Sequence, residues 1–105
     1  MTSTTRRVGK LLLRLYIVAG APNSIAARAN LKSVLAELPP EDYALEIVDC
    51  VTDPHRALAE GVLVTPTLVK SEPGPTTTIV GSLSDRGAVL AALGLDDKGM
   101  AATDG

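Results

Sequence analysis

The chain has 105 residues, a formal net charge of −2 at pH 7 and one cysteine. This length suits one domain, and the acidic balance argues against general nucleic-acid binding, which needs a basic surface. Hydrophobic residues make up 46% of the chain, but it contains no Trp or Phe, so we expect a core of aliphatic side chains.

Cysteine content and hydropathy indicate the cellular context. Cys50, being the only cysteine, cannot form an internal disulfide or a Cys-x-x-Cys pair. Residues 1–9 lack the apolar stretch of a signal peptide, and no apolar run approaches the roughly 20 residues of a membrane span. We therefore expect a cytoplasmic domain over residues 10–95, with no membrane contact, between two flexible tails, residues 1–9 and 96–105.

The first half of the domain predicts a strand, a helix and a second strand. Apolar residues occupy both faces of residues 10–19, as in a central strand covered on both sides. Asn23 or Ser24 is expected to cap the helix, because short polar side chains accept hydrogen bonds from its first N–H groups. Residues 43–48 form the second strand, which the single-helix crossover makes parallel to the first. The predicted buried stripe of the helix comprises Ala27, Leu31, Val34, Leu35 and Leu38.

The chain then predicts a short helix and a strand. Thr52 or Asp53 is expected to cap this helix, and Gly61 to end it. Proline has no N–H, so Pro66 should stand at the head of a strand over residues 67–70 and not within it.

A hairpin and a last helix complete the domain. The strand Thr77–Val80 returns after a Pro-Gly-Pro turn, and Gly81 ends it. Ser84 or Asp85 is expected to cap the last helix, and Gly94 to stop it. The residues predicted to be buried on this helix are Val89, Leu90 and Leu93.

The order β-α-β-α-β-β-α predicts a thioredoxin-like α/β fold, a mixed four-stranded sheet with helices on both faces. In that fold the Thr65-Pro66 turn is expected to lie opposite Pro22-Asn23-Ser24, at the start of the first helix. This position favours the cis isomer of the Thr65-Pro66 bond.

The chemistry of a thioredoxin-like oxidoreductase is missing from the expected place. Such an enzyme needs a cysteine at the N-terminus of the first helix, where the helix dipole lowers the thiol pKa. Here Ala21-Pro22-Asn23-Ser24 carries no sulfur, and a serine cannot form a mixed disulfide. Cys50 is interpreted as a structural residue at a strand end, and His55 as a solvated residue without metal-ligand neighbours. We predict no enzymatic activity, cofactor or metal; a docking domain or a redox accessory using Cys50 is the alternative.

Four stretches together resemble the KaiB family of clock proteins. They come in family order and cover about residues 12–95. The stretches are Leu15-Tyr16-Ile17-Val18-Ala19-Gly20-Ala21-Pro22-Asn23-Ser24, Tyr43-Ala44-Leu45-Glu46-Ile47-Val48-Asp49, Thr65-Pro66-Thr67-Leu68-Val69-Lys70 and Gly81-Ser82-Leu83-Ser84-Asp85-Arg86.

The resemblance implies a non-enzymatic regulatory protein that binds a KaiC-like ATPase, in circadian timing or a related stress response. A clock histidine kinase is a second candidate partner. The family is also metamorphic: a ground-state fold with a rearranged C-terminal half, assembled as a tetramer, is the alternative to the thioredoxin-like state. A homodimer or homotetramer is therefore expected.

The same resemblance suggests particular residues. Lys70, at the end of the third strand, is either an ionic contact with the ATPase or a solvated lysine. Arg86 is a further candidate contact, whereas Asp85 is expected to act as a cap. Pro66 would separate a constant half from a switching half of the chain, with Pro22 and Gly81 as the other structural turn positions.

The chain also departs from the family pattern. Glu46 stands where clock members commonly have a lysine, and no basic residue follows Pro73-Gly74-Pro75. Both changes remove positive charge from expected partner surfaces, which favours a divergent KaiC-type partner. The alanine-rich last helix is expected to favour the thioredoxin-like state.

Overall fold

The computed structural model describes residues 10–95 as a four-stranded sheet with helices on both faces, and the predicted tails lie outside the described residues. A 3-10 turn, Pro40–Asp42, precedes the second strand. The predicted element order is confirmed: β1 (Leu11–Ile17), α1 (Pro22–Leu35), β2 (Tyr43–Asp49), α2 (Pro54–Ala59), β3 (Thr67–Glu72), β4 (Thr77–Val80) and α3 (Arg86–Leu93).

The sheet has the strand order β2-β1-β3-β4. Strand β1 pairs in parallel with β2, which confirms the predicted crossover, and antiparallel with β3. At the centre of the sheet Leu15 lies opposite Ile47 on one side and Leu68 on the other. Strand β1 is therefore paired along both edges, and its side chains contribute to the cores on both faces of the sheet.

The main core lies between one face of the sheet and helices α1 and α3. Alternate β1 residues point to this face, and Leu15 and Leu31 are completely buried. Burying each such leucine contributes about 1.5–3 kcal/mol. The predicted helix residues are confirmed as buried: Ala27, Leu31, Val34, Leu35, Leu38, Val89, Leu90 and Leu93. Leu38 lies beyond the end of α1, however, because the helix ends at Leu35.

A second, smaller core lies under α2 on the other face of the sheet. It consists of Tyr16, Val48, Ala57, Val62 and Val69, with Cys50 packed against it. Only one of these residues, Ala57, belongs to α2. The apolar attachment of α2 is therefore thin.

The predicted cap of α1 is wrong. The helix begins at Pro22, with Ala21 at the N-cap position and no side-chain capping bond. Proline suits the first helical position, because its missing N–H would have no partner there. Ser24 therefore lies inside the helix, buried, and its Oγ accepts a hydrogen bond from the Val18 N–H at 3.1 Å.

The prediction for the N-cap of α2 is confirmed in position, but the predicted side-chain hydrogen bond is absent. Asp53 occupies the N-cap position, but its side chain makes no capping bond. Thr52 instead donates through Oγ1 to the Asp49 carbonyl at 3.2 Å. Gly61 follows the helix with a φ of +76°, a conformation that glycine adopts without strain.

Helix α3 begins and ends as predicted. The Asp85 carboxylate accepts a hydrogen bond from the Ala88 N–H at 3.1 Å, and Gly94 is left-handed with a φ of +76°. Within residues 10–95, no helix combines the length and apolar character that crossing a bilayer would require.

Candidate docking surface

The Thr65-Pro66 bond is cis, as its place in the fold predicts. Pro66 is buried, and its carbonyl accepts a hydrogen bond from the Gly81 N–H at 2.9 Å. Gly81 has a φ of +114°, which only glycine adopts readily. On the other side, the Thr67 hydroxyl donates to the Val64 carbonyl at 2.7 Å. These bonds fix the segment that leads from α2 into β3.

Three exposed apolar side chains lie on this segment and on the end of α2. Leu63 is 86% exposed, Leu58 66% and Val64 52%. They line a shallow depression of about 280 Å³ together with Cys50 and other residues. We call Leu58, Leu63 and Val64 the α2 patch. Clustered exposed apolar groups are costly in water and typically mark a contact with another molecule.

A chain of polar side chains connects α2 to the sheet behind this patch. The Arg14 Nη1 donates to Glu60 at 2.6 Å, and the Tyr16 hydroxyl donates to the same Glu60 oxygen at 2.5 Å. The Arg14 Nε also donates to Glu46 at 3.2 Å. Arg56 binds Glu46 through both terminal nitrogens, one of them at 2.6 Å. We call these five residues the α2 network.

The network shifts the pKa values of its carboxyl groups downwards. The paired Arg56, with help from Arg14, lowers the pKa of Glu46 to about 2. Burial acts to raise the pKa of Glu60, but hydrogen bonds from Tyr16 and Arg14 outweigh it, so this pKa is also lowered. Burial and the neighbouring Glu60 raise the pKa of Tyr16. At neutral pH both carboxylates are therefore charged and able to accept these bonds.

Cys50 does not have the environment of a reactive thiol. It is partly buried against the small core, and burial, aided by the charge of Asp49, raises its thiol pKa. Since thiolate is the nucleophile, a raised pKa disfavours the redox-accessory alternative.

Lys70 lies in a different environment from the one the sequence suggests. Strand β3 continues to Glu72, so Lys70 is inside the strand, and it is only 8% exposed. Its Nζ donates to the Pro73 carbonyl at 2.6 Å. The interpretation of Lys70 as a solvated strand-end lysine is therefore wrong.

Arg86 and His55 are both accessible on the surface. The Arg86 guanidinium forms an ion pair with Glu37 at 2.6 Å and its side chain is 39% exposed. His55 is exposed on α2, as expected. Within residues 10–95, His, Cys, Asp and Glu side chains form no group of three or more that could hold a metal ion.

An apolar groove lies on the opposite face of the sheet, between α1 and β2. Its volume is about 610 Å³, and Ile25 and Ile47 are exposed along it. Arg28 and Lys32 stand at its rim. The chain thus presents apolar surface on both sides of the sheet.

The sequence interpretation missed the α2 network and the α2 patch. The bonds of the network join residues 10 to 46 positions apart, so no local pattern reveals them. Weak signals were present: Arg56 and Glu60 are one helical turn apart, and Arg14 pairs with Glu46 once the parallel register is known.

These features define a class of protein, namely a thioredoxin-like domain that lacks the thiol of the oxidoreductases. The fold matches a thioredoxin of Halobacterium salinarum with a TM-score of 0.69 at 21% identity, over 92% of this chain and 80% of that one. It also matches the N-terminal domain of SasA from Synechococcus elongatus with a TM-score of 0.65 at 27% identity, over 87% and 88%.

The chain belongs to the KaiB family. The KaiB domain model matches residues 14–95. The circadian clock oscillator protein KaiB of Microcystis aeruginosa is 42% identical over 85 residues, which are 81% of this chain and 80% of that protein. KaiB1 of Synechocystis sp. is 41% identical over 81% of this chain and 79% of its own length.

Proposed function

We propose that this chain is a non-enzymatic regulatory protein that binds a KaiC-type ATPase in circadian timing or a related stress response. The observation that carries the proposal is the α2 patch. Its three side chains are exposed although apolar, and they stand beside a turn that is hydrogen-bonded at Pro66 and Thr67. A partner that covers them removes apolar surface from water, worth about 25 cal/mol per Å² before the costs of association.

Two charged residues outside the α2 patch are further candidate contacts. Arg86 supports an ionic contact, since its side chain is 39% exposed and its pair with Glu37 is accessible to solvent. Lys70 would have to give up its bond to Pro73 before contacting a partner. Glu46 is neutralised by two arginines, which favours a partner surface that does not require a cation at this position.

A binding assay with single surface substitutions tests the proposal. We expect a purified KaiC-type ATPase to retain the wild-type chain in the presence of ATP. Leu63→Ser should weaken binding at least about tenfold, because Leu63 is the most exposed side chain of the patch and its burial would remove the most apolar surface from water. Val80→Ser is the matched control, because Val80 is a similarly exposed apolar residue on β4, at 59%.

The outcomes test separately whether the partner is a KaiC-type ATPase and whether the α2 patch is the contact surface. KaiB of Microcystis aeruginosa serves as the positive control for the ATPase. If that protein is retained and the wild-type chain is not, the KaiC-type partner is wrong. If Leu63→Ser binds as tightly as Val80→Ser, the α2 patch is not the contact.

A further inference from the structure

Helix α2 cannot be held in place by its own stability. It has 6 residues, whereas isolated helices shorter than about 12–15 residues are marginal in water. Its only buried residue is Ala57, which has a single methyl group to bury. The orientation of α2 therefore depends on contacts other than apolar packing.

The α2 network supplies those contacts from one side of the helix. Arg56 lies on α2 and Glu60, four positions further on, is the C-cap residue of the helix, and both bind residues of the sheet. The hydrogen bonds run without a break from Tyr16 through Glu60, Arg14 and Glu46 to Arg56. One of the five residues lies on the helix, one is its C-cap and three lie on the sheet, so bending of α2 away from the sheet would break several bonds together.

Burial makes the Tyr16, Glu60 and Arg14 part of this network stronger than an ordinary surface ion pair. The Arg56 and Glu46 side chains are 39% and 48% exposed, and they add to the stability through their connection to that part. Tyr16 is 1% exposed, and the Glu60 and Arg14 side chains are 24% and 32% exposed. The single pair Arg86–Glu37 has both side chains about 40% exposed or more, at 39% and 43%. Exposed single pairs contribute little, whereas partly buried networks act together.

We propose that the α2 network positions the α2 patch, so that Arg14, Tyr16, Glu46, Arg56 and Glu60 set the affinity for the protein that docks there. Leu58 belongs to α2 itself, and Leu63 follows Glu60 by three residues. The hydrogen bonds of Pro66 and Thr67 hold the other end of this segment. With α2 released, Leu58 and Leu63 lose their common orientation, and the partner must restore it at the cost of affinity. This inference rests on the proposed docking function of the patch.

Two matched substitutions test the positioning role by amide hydrogen exchange. Glu60→Gln removes one charge and weakens two bonds of the network. Exchange of the α2 amides and of residues 61–64 should rise about fivefold to tenfold, the factor that corresponds to a lost hydrogen bond of about 1–1.4 kcal/mol. Glu37→Gln removes the same charge and one exposed ion pair elsewhere, and it should leave this exchange unchanged. Unchanged exchange of β1 and α1 amides in both variants shows that the fold is intact.

The affinity measurement uses a control residue outside both the α2 network and the Arg86–Glu37 ion pair. Glu60→Gln should weaken binding to the KaiC-type ATPase about fivefold to tenfold, while Glu72→Gln, an exposed change on β3, should not. A double variant with Arg14→Gln should lose less than the sum of the two single losses, because both substitutions break the Arg14–Glu60 bond.

The positioning role is overturned if Glu60→Gln leaves α2 exchange at the wild-type rate, or if the exchange rises and affinity does not fall. If the wild-type chain itself does not bind the ATPase, the docking function fails. The exchange data still decide whether the network holds α2.

Discussion

At the scale of single residues, Lys70 has an unusual environment for a lysine. It is buried within β3, and its ammonium group donates to the Pro73 carbonyl at the start of the hairpin turn. Burying a charge is costly unless it is hydrogen-bonded, and the aliphatic stem adds packing. We therefore expect Lys70 to stabilise the β3–β4 hairpin.

Substitution of Lys70 tests this stabilising role. Lys70→Ala removes the stem and the bond, and it should lower the free energy of unfolding by about 1.5–3 kcal/mol. Lys70→Met keeps the stem and should lose less, about 1 kcal/mol. Urea denaturation measures both values. Wild-type stability in Lys70→Ala would contradict a structural role and leave Lys70 free for a partner.

At the scale of elements, α3 has clear signals at both ends. Asp85 accepts the Ala88 N–H, and Gly94 adopts the left-handed conformation that ends many helices. Ala88, Ala91 and Ala92 favour helix by up to about 1 kcal/mol each over glycine. These features favour the thioredoxin-like state over a state with a rebuilt C-terminal half. That the thioredoxin-like state is the more populated one stays a prediction.

The contribution of the Asp85 cap to the stability of the folded chain can be measured by substituting Asp85 alone. Asp85→Ala should lower the free energy of unfolding by about 1 kcal/mol, because the Ala88 N–H loses its partner. Asp85→Asn, the matched control, keeps an oxygen acceptor and should remain within a few tenths of a kcal/mol of wild type. Equal losses in the two variants, measured by urea denaturation, would contradict the capping role.

Elements with strong local signals were predicted well. The strand Thr77–Val80 has the predicted bounds, whereas β1 is shorter than the predicted residues 10–19. Propensity could not decide the start of α1, because Pro22 and Ser24 are both acceptable near a helix start. The helix begins at Pro22, and Ser24 is buried within it with its Oγ accepting the Val18 N–H. The surface was predictable only in part: exposure of Leu63 and the bonds of Glu60 depend on how distant elements pack.

At the scale of the whole molecule, the sheet divides the chain into unequal halves. The face under α1 and α3 carries the large core, while the face under α2 carries a small core and the α2 network. Polar interactions therefore contribute a larger share of the stability on the α2 side. That share depends on pH, because two carboxylates must be ionised for the network to form.

The sign of this dependence follows from the lowered pKa values. In the unfolded chain a glutamate titrates near 4.5, but in the folded chain the pKa of Glu46 is about 2, and that of Glu60 is lowered too. A lowered folded pKa means that the ionised form stabilises the folded state. This contribution is fully present above about pH 4.5 and is lost as the pH falls through the folded values.

Denaturation at several pH values tests this argument with a double variant. The wild type should be more stable than Glu46→Gln/Glu60→Gln at pH 7, and the difference should shrink steadily between about pH 4.5 and pH 2. Glu41→Gln is the control, because Glu41 is exposed and makes no hydrogen bond or ion pair within residues 10–95, so its difference from wild type should stay near zero. A difference between wild type and the double variant that is the same at pH 7 and pH 2 would show that the network does not stabilise the folded chain through its charges.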